Sequence, residues 1–294
     1  MTALPHSRPT ANTAKAAGAV RAASAARFAR TPANRAHNAQ RAPWGWALAG
    51  LLAGAIPALL VFAPAQWLAA GLASASADRV LLVQPRGTLW TGSAQLVLTG
   101  GAASQDRAAL PGRISWQLRP APDGLRAQLM ASCCTTTPLQ AQVQLRWGGA
   151  RVTVADGHSQ WPAAALTGLG TPWNTLQPQG QLALRTQGLQ ADWANGRLQL
   201  SGQAQLDALA LSSRLSTLKP MGSYRLVLQG ASVPTLTLHT LEGALQLSGS
   251  GQWVGQRLRF SGEASAAPER EAALSNLLNI IGRRSGARAL ITLG

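Results

Sequence analysis

Most of the chain alternates between apolar and polar residues with a period of two. Two such runs cover residues 90–98 and 198–206; a third places Leu139, Ala141, Val143, Leu145 and Trp147 on one side. Because successive side chains of a strand point to opposite faces, the alternation predicts strands with one buried and one solvated face. Gly, Pro, Asp and Asn separate the runs, as turns require. The pattern predicts a mainly β, antiparallel sheet domain.

A short motif, apolar-x-apolar-x-Gly, recurs in these runs. It ends at Gly100, Gly202, Gly230, Gly249 and Gly262. The irregular spacing argues against a strict solenoid. A glycine inside a strand often marks a bend or a bulge, so we expect long strands that bend or bulge at these positions.

Two short helices are expected to interrupt the strands. The first is predicted at 162–169 and the second at 268–281. In the second, Pro268 suits the first helical position, and Glu269 and Glu271 suit the dipole at the helix start. Its apolar residues have the spacing of one helical stripe, and they are Leu274, Leu277, Leu278 and Ile281.

A long uncharged segment precedes the strands. Residues 42–77 contain no charged side chain. About 20 apolar residues suffice for a helix to cross a bilayer, so we predict a transmembrane anchor at 42–72. Since residues 73–77 also resemble a cleavage site, a removed signal peptide is the alternative, but the apolar run exceeds the usual length of such a peptide.

Particular residues mark the predicted anchor. Trp44 and Trp46 lie at one end and Trp67 at the other, as in the aromatic belts of membrane helices. Pro57 falls inside the helix and is expected to kink it.

Two glycines in the anchor suggest a dimer face. Gly50 and Gly54 form a GxxxG pair, which allows two membrane helices to approach closely. The pair makes a homodimer through the anchor a possibility to be tested, although this spacing also arises by chance in an Ala- and Gly-rich helix.

The charge distribution predicts the orientation of the chain. Residues 1–41 carry seven positive charges and no acidic residue. This tail is rich in Ala and has no apolar period, so it is expected to be disordered. Positive charge accumulates on the cytoplasmic side of membrane helices. We therefore predict a cytoplasmic tail at 1–41 and a periplasmic β-rich domain at 78–294.

The cysteines offer little chemistry. Cys133 and Cys134 are the only two. Oxidising compartments favour disulfides, but adjacent Cα atoms are about 3.8 Å apart, below the usual disulfide range. A strained vicinal disulfide, an unpaired couple at a strand end and an intermolecular bridge all remain possible.

No catalytic, metal or nucleotide site is legible, so we predict a non-enzymatic protein without cofactors. The histidines at 6, 37, 158 and 239 lack metal-ligand spacing to any other ligand. Ser216 and Lys219 match the SxxK pattern of penicillin-recognising enzymes, but its companion motifs are missing and a turn before Pro220 explains these residues.

Tryptophans and arginines do not make a nucleic-acid site here. Trp90, Trp116, Trp147 and Trp253 fall on apolar positions of the alternation. Core packing therefore explains these side chains better than base stacking does, and an exported domain meets no nucleic acid.

Several stretches resemble the type II secretion system protein N family. They are GTLWTGSAQLVL at 87–98, ISWQLRP at 114–120, the segment 196–226 that begins GRLQLSGQAQLDALAL, and LSNLLNIIGRRSG at 274–286. With the apolar segment before them, the resemblance covers roughly residues 44–294. The long basic tail departs from the family pattern.

The resemblance implies an accessory component of the type II secretion system in the cell inner membrane. Such a protein supports export of folded periplasmic proteins across the outer membrane by contact with other components of the system, and the family implies no catalytic residues. The alternative is a lipid-handling bridge that resembles proteins of the AsmA type, since half-apolar strands can also form a groove for acyl chains.

Overall fold

The computed structural model describes residues 44–194, 196–255 and 257–294. The predicted tail at 1–41 lies outside the described residues, as do the first two residues of the predicted anchor. The chain divides into two units, Met1–Leu48 and Ala49–Gly294. In the first, the described residues are the start of helix α1; the second contains every described strand.

The helices are few and short after the first one. They are α1 (Trp44–Val61), α2 (Ala65–Ala75), a 3₁₀ helix (Ala163–Leu169), α3 (Trp173–Leu176) and α4 (Glu271–Ile281). The apolar segment predicted as one span at 42–72 is therefore divided, because the α1 conformation ends at Val61 and a second helix starts at Ala65. The helix predicted at 162–169 is present in the tighter 3₁₀ form.

Strands make up the rest of the regular structure. The first eight are β1 (Val80–Gly87), β2 (Thr91–Thr99), β3 (Arg107–Ala109), β4 (Ile114–Ala121), β5 (Gly124–Ala131), β6 (Leu139–Arg146), β7 (Gly149–Val154) and β8 (Gly157–Pro162). The others are β9 (Gln179–Ala194), β10 (Arg197–Ser212), β11 (Gly222–Gln229), β12 (Thr235–Gly243), β13 (Leu245–Val254), β14 (Arg257–Ala266), β15 (Arg283–Ser285) and β16 (Arg288–Leu293).

These sixteen strands of the described residues form one sheet. Its path is β1-β2-β4-β5-β6-β7-β9-β10-β11-β12-β13-β14-β16-β15, while β3 pairs with β2 and β8 pairs with β9. Neighbouring strands run antiparallel, from the first pair to the last. The predicted mainly antiparallel β class, with an N-terminal apolar helix, is confirmed.

One face of this sheet is apolar along its path. Two buried clusters form on that face. The first joins α2 to strands around Trp116 in β4, and the second joins α4 to strands around Tyr224 in β11. Leu245, Leu274, Leu277 and Leu278 are the largest fully buried side chains among the described residues. Helix packing therefore covers the apolar face in two places.

Glycine produces a bulge where the sequence predicts one. Strand β10 shifts register against β9 between Ser201 and Gln203. Gly202, between them, has φ +80°, and a Cβ there would lie 2.1 Å from the carbonyl oxygen of Gly188. Only glycine combines this backbone conformation with so close an approach.

Helix α4 begins later than the sequence indicates. Glu269 has φ +65° and lies outside the helix, which starts at Glu271 after Arg270 as N-cap residue. Pro268 is therefore not its first residue, and of the two predicted acidic residues only Glu271 lies in the first turn. The predicted apolar stripe is correct for its first three leucines, which are buried.

Candidate functional site

Helix α1 presents an apolar surface with no packing partner in the described chain. It is the one described helix that is long and apolar enough to cross a membrane, judged by length and composition. Trp44 and Trp46 are 80% and 82% exposed, and the helix continues through Pro57. A Cβ built on Gly50 or Gly54 meets no atom within 4 Å, so the two glycines leave open surface on the helix.

A compact junction joins the end of α1 to the first turn of the sheet. The indole N–H of Trp90 donates a hydrogen bond of 2.7 Å to the carbonyl oxygen of Leu60. The Leu89 N–H donates to the carbonyl oxygen of Ala63 at 2.7 Å, and Pro64 forms an isolated bridge with Thr88. Since the last carbonyls of a helix have no partner within it, the turn before β2 satisfies one of them.

Trp90 therefore differs from the sequence prediction. It precedes β2 and is only half-buried, while Trp116 in β4 is 4% exposed and forms part of the first apolar cluster. The alternation placed both on an apolar face, but a residue just before a strand is less buried than a residue inside one.

Trp67 lies on α2 and not at the end of α1. Helix α2 packs on β1, with Ala65 2% exposed and Leu68, Ala69 and Leu72 against the first cluster. Trp67 points away from this packed side and is 53% exposed. Trp67 therefore comes after the junction in the sequence and belongs to the helix that packs on the sheet.

Cys133 and Cys134 are joined as a vicinal disulfide with Cα atoms 3.7 Å apart. They lie between β5 and β6, where Cys134 is buried and Cys133 is exposed. The Cys134 carbonyl oxygen accepts a hydrogen bond from the Gln160 N–H at 2.8 Å. The pair therefore sits in a turn tied to β8; its redox state in the cell is a proposal tested below.

An apolar cleft lies on the sheet between the two helical segments. Its volume is about 360 Å³. Strands β9–β13 form the floor, and the walls carry Leu166 and Trp173 on one side and Leu277 and Ile280 on the other. A larger depression of about 690 Å³ is lined by Thr, Ser, Gln and Arg as well as apolar residues; the smaller cleft is the better candidate because nearly all of its lining is apolar.

The loop between β10 and β11 closes one end of the cleft. The Ser213 hydroxyl donates to the Leu176 carbonyl oxygen at 2.6 Å, and the Ser216 hydroxyl donates to the Ala273 carbonyl oxygen at 3.3 Å. The loop is thus bonded to both α3 and α4. Ser216 also accepts the Leu218 N–H at 3.1 Å and is 5% exposed, so its place is that of a buried turn residue.

Tyr224 lines the cleft and carries an unpaired polar atom that is buried beneath the cleft surface. Its side chain is 4% exposed, and its hydroxyl has no hydrogen-bond partner within the described residues. Burial raises the pKa of this hydroxyl far above its usual value, so it stays a neutral donor. A buried donor without an acceptor is costly; this hydroxyl lies beside the backbone of Gly222, where a Cβ would come within 2.7 Å of it.

Charged pairs lie on the other, polar face of the sheet. Asp207 in β10 accepts two hydrogen bonds from the Arg225 guanidinium, at 2.7 and 2.9 Å. These bonds hold the pKa of Asp207 below its usual range, even though burial acts in the opposite direction. Arg151 donates one hydrogen bond from its Nε to Asp192 and lowers the pKa of that carboxyl. Both pairs cross between neighbouring strands and so support their register.

A metal centre is not assembled in the part of the chain that the structure describes. Within it, no group of three or more His, Cys, Asp or Glu side chains is placed to hold an ion. His158 and His239, predicted not to be ligands, lie on different strands, β8 and β12.

An exposed apolar feature was missed by the sequence interpretation. Trp147 is fully exposed, at 106%, although the alternation assigned it to the core. With Leu145, Trp193 and Leu198 it forms what we call the tip patch, at the ends of hairpins β6–β7 and β9–β10. The glycines that follow Trp147 in the sequence were the available signal, since they place it at a hairpin tip.

Comparison with known proteins gives the family. No curated protein and no solved structure matches the chain. The family model of type II secretion system (T2SS), protein N, matches residues 78–291, a region that starts just before β1 and ends within β16. It thus covers nearly all of the sheet, the second apolar cluster and the strand residues of the first, and the chain belongs to the type II secretion system protein N family.

Proposed function

We propose that this type II secretion component is an accessory protein of the inner membrane that acts by protein–protein contact in the periplasm. The observation that carries the proposal is the family match over residues 78–291. In this proposal residues 1–41 are a cytoplasmic tail, α1 crosses the membrane, and residues 78–294 support export of folded proteins across the outer membrane.

The length of α1 supports a membrane span, and the charge before it supports the orientation. The 18 residues of α1 reach about 27 Å at 1.5 Å per residue, close to the hydrocarbon thickness of a bilayer. The seven positive charges before it favour a cytoplasmic N-terminus. We propose that α1 alone crosses the membrane and that α2, which packs on β1, belongs to the periplasmic domain.

Contact rather than chemistry is the proposed mode of action. The polar face carries paired side chains such as Asp207–Arg225, in which each charge already has a partner. Among the described residues, the edge strand β1 pairs on one side only, and a free strand edge accepts a partner strand through main-chain hydrogen bonds. Anchoring the domain at the membrane raises its effective concentration near other membrane components.

Crosslinking in cells, combined with the secreted proteome of a deletion strain, tests the function. A photoreactive residue at Val83, an exposed position on β1, is expected to crosslink another secretion component, and deletion of the gene is expected to reduce type II secretion. An unchanged secreted proteome with no crosslinked secretion component would refute the proposal.

Reporter fusions test the orientation separately. A reporter active only in the periplasm is expected to work after Gly294 and to fail at Arg41. The opposite pattern would reverse the topology. A mature protein that starts near Asp78 would replace the anchor by a signal peptide.

The cysteine pair has its own test. We propose that the bridge between Cys133 and Cys134 persists in the periplasm, as expected of an oxidising compartment. Alkylation of the intact protein without reduction should then label neither cysteine, and mass spectrometry should find the linked peptide. Labelling of both thiols would contradict the bridge.

The apolar cleft supports a second candidate, lipid handling. Its nearly apolar lining suits an acyl chain. Phospholipid that co-purifies with the full chain, and is lost in Leu226→Glu but not in the exposed control Leu209→Glu, would favour this function over the first.

A further inference from the structure

The tip patch is a continuous apolar row across neighbouring strands. Leu145 pairs with Ala150, Ala150 with Trp193, and Trp193 with Leu198. Leu145, Trp193 and Leu198 are 77%, 48% and 57% exposed, and Trp147 beside them is fully exposed. Large exposed apolar groups gathered in this way mark an interaction surface.

The strand register places this patch on the same edge of the sheet as the junction with α1, where this edge is the row of turns at one end of the strands. Antiparallel pairs follow one another at this edge from the β1–β2 turn to the β9–β10 turn, namely Thr91–Gln117, Ala121–Gly124, Arg146–Gly149 and Ala194–Arg197. The cysteine turn between β5 and β6 lies at the opposite edge. The junction with α1 and the exposed tryptophans Trp147 and Trp193 therefore lie at the same edge.

The hairpin tips also extend beyond the junction. Pairing aligns Thr91, beside the junction, with Gln117, then Gln128, then Gln140 of β6. Strand β6 continues from there to Arg146, which is about 20 Å further at 3.3 Å per residue. The tip patch therefore projects from the edge and is not shielded by the strands nearest to α1.

Positive charge lies at the same strand ends, on the face of the sheet opposite the patch. Arg119, Arg126, Arg146 and Arg197 are exposed at the same edge. Of the acidic residues there, Asp192 forms an ion pair with Arg151, and Asp123 accepts hydrogen bonds from the neutral Gln142 and Gln144 amides. Arg146 and Arg197 are the direct chain neighbours of Leu145 and Leu198, so they point to the other side of their strands.

We propose that the tip patch inserts into the surface of an anionic phospholipid bilayer and so attaches the sheet to the membrane at a second place. This rests on the proposed function, in which α1 spans that membrane. Tryptophan and arginine are the residues that favour the membrane interface, the indole at the headgroup level and the guanidinium at lipid phosphates. Exposed leucines beside them contribute apolar area.

Site-specific photocrosslinking in native membranes tests the second attachment. A benzoylphenylalanine residue replaces Trp147 or Trp193 in the full-length chain, and lipid adducts are detected by mass spectrometry. Met130, 42% exposed on β5 near the opposite edge, is the matched control. Leu52, exposed on α1, is the positive control for the anchor. Lipid adducts are expected at 147, 193 and 52 and not at 130.

The outcomes separate the two proposals. Adducts at 52 without adducts at 147 and 193 overturn the second attachment and leave the anchor intact. Loss of the adduct at 52 overturns the anchor itself. Protein adducts in place of lipid at 147 and 193 identify a protein-docking surface and also overturn the attachment.

Proteoliposomes test the role of charge. In the full chain reconstituted in phosphatidylcholine, addition of phosphatidylglycerol is expected to raise the adduct yield at 147. The double variant Arg146→Gln and Arg197→Gln is expected to lose this increase. An increase that is the same in the variant would show that these arginines do not recognise the anionic headgroup.

Discussion

Replacing Trp116 by alanine tests the assignment of the sheet faces. The Trp116 side chain is 4% exposed and lies in the first apolar cluster. Its indole N–H donates to the Leu89 carbonyl oxygen at 3.0 Å. A Cβ built on Gly92 would lie 2.5 Å from its ring, so the backbone of β2 touches the indole directly and Gly92 offers no side chain to fill the space it leaves.

The expected loss follows from this packing. Deletion of a buried tryptophan side chain costs about 3–5 kcal/mol. The Leu89 carbonyl is in a half-buried turn, where water replaces the lost hydrogen bond, so this adds little. Because small domains have a free energy of unfolding of about 5–15 kcal/mol, Trp116→Ala should remove a large fraction of it.

Trp147→Ala is the matched control, since Trp147 is fully exposed. Exposed substitutions change the free energy of unfolding by about 0.5 kcal/mol or less. The assay is urea unfolding of the full chain in detergent, followed by far-UV circular dichroism, which does not depend on the removed indole. Equal losses in the two variants would refute the assigned faces.

Further predictions concern the ion pair, the turn serine and α4. Asp207→Asn should lower the free energy of unfolding by about 1–2 kcal/mol near neutral pH. Because the folded pKa of Asp207 is lowered, the contribution of the ion pair is present above the unfolded pKa of about 3.9 and is lost as the pH falls through the folded pKa. The melting temperatures of wild type and variant should therefore converge at acid pH. Ser216→Ala breaks the bond to Ala273 and should cost about 1 kcal/mol in urea unfolding, yet leave the secreted proteome unchanged; a loss of secretion with a stable fold would revive a catalytic role. Leu278→Ala removes a fully buried side chain and should cost about 2–5 kcal/mol, and a loss below 1 kcal/mol in the same assay would contradict the packing of α4.

Much of the fold was predictable because each strand shows the alternation of apolar and polar residues in its own sequence. The run predicted from Leu139 to Trp147 became β6, which ends at Arg146, and the apolar residues of β10 from Leu198 to Ala208 share one face. Gly202 produced the expected bulge. Helix α4 was misplaced at its start because Glu269 adopts a left-handed conformation, which no local helix signal announces.

The candidate site was less predictable because it combines distant segments. The cleft joins Leu166 from the 3₁₀ helix to Leu277 from α4, and their proximity depends on which strands pair. No period in the sequence contains that information. The same holds for Tyr224, whose missing hydrogen-bond partner is a property of its surroundings and not of its strand.

The sequence by itself determined the period-two strands, the uncharged apolar helix and the family resemblance, since each is a local or ordered pattern of residue types. Only the tertiary structure decided which tryptophans are buried. Trp116 and Trp147 both occupy apolar positions of a strand pattern, yet one is enclosed and the other fully exposed. The physical reason is that alternation selects a face of the sheet, while burial requires another element to cover that face, and nothing in the described chain covers the tip of β6–β7.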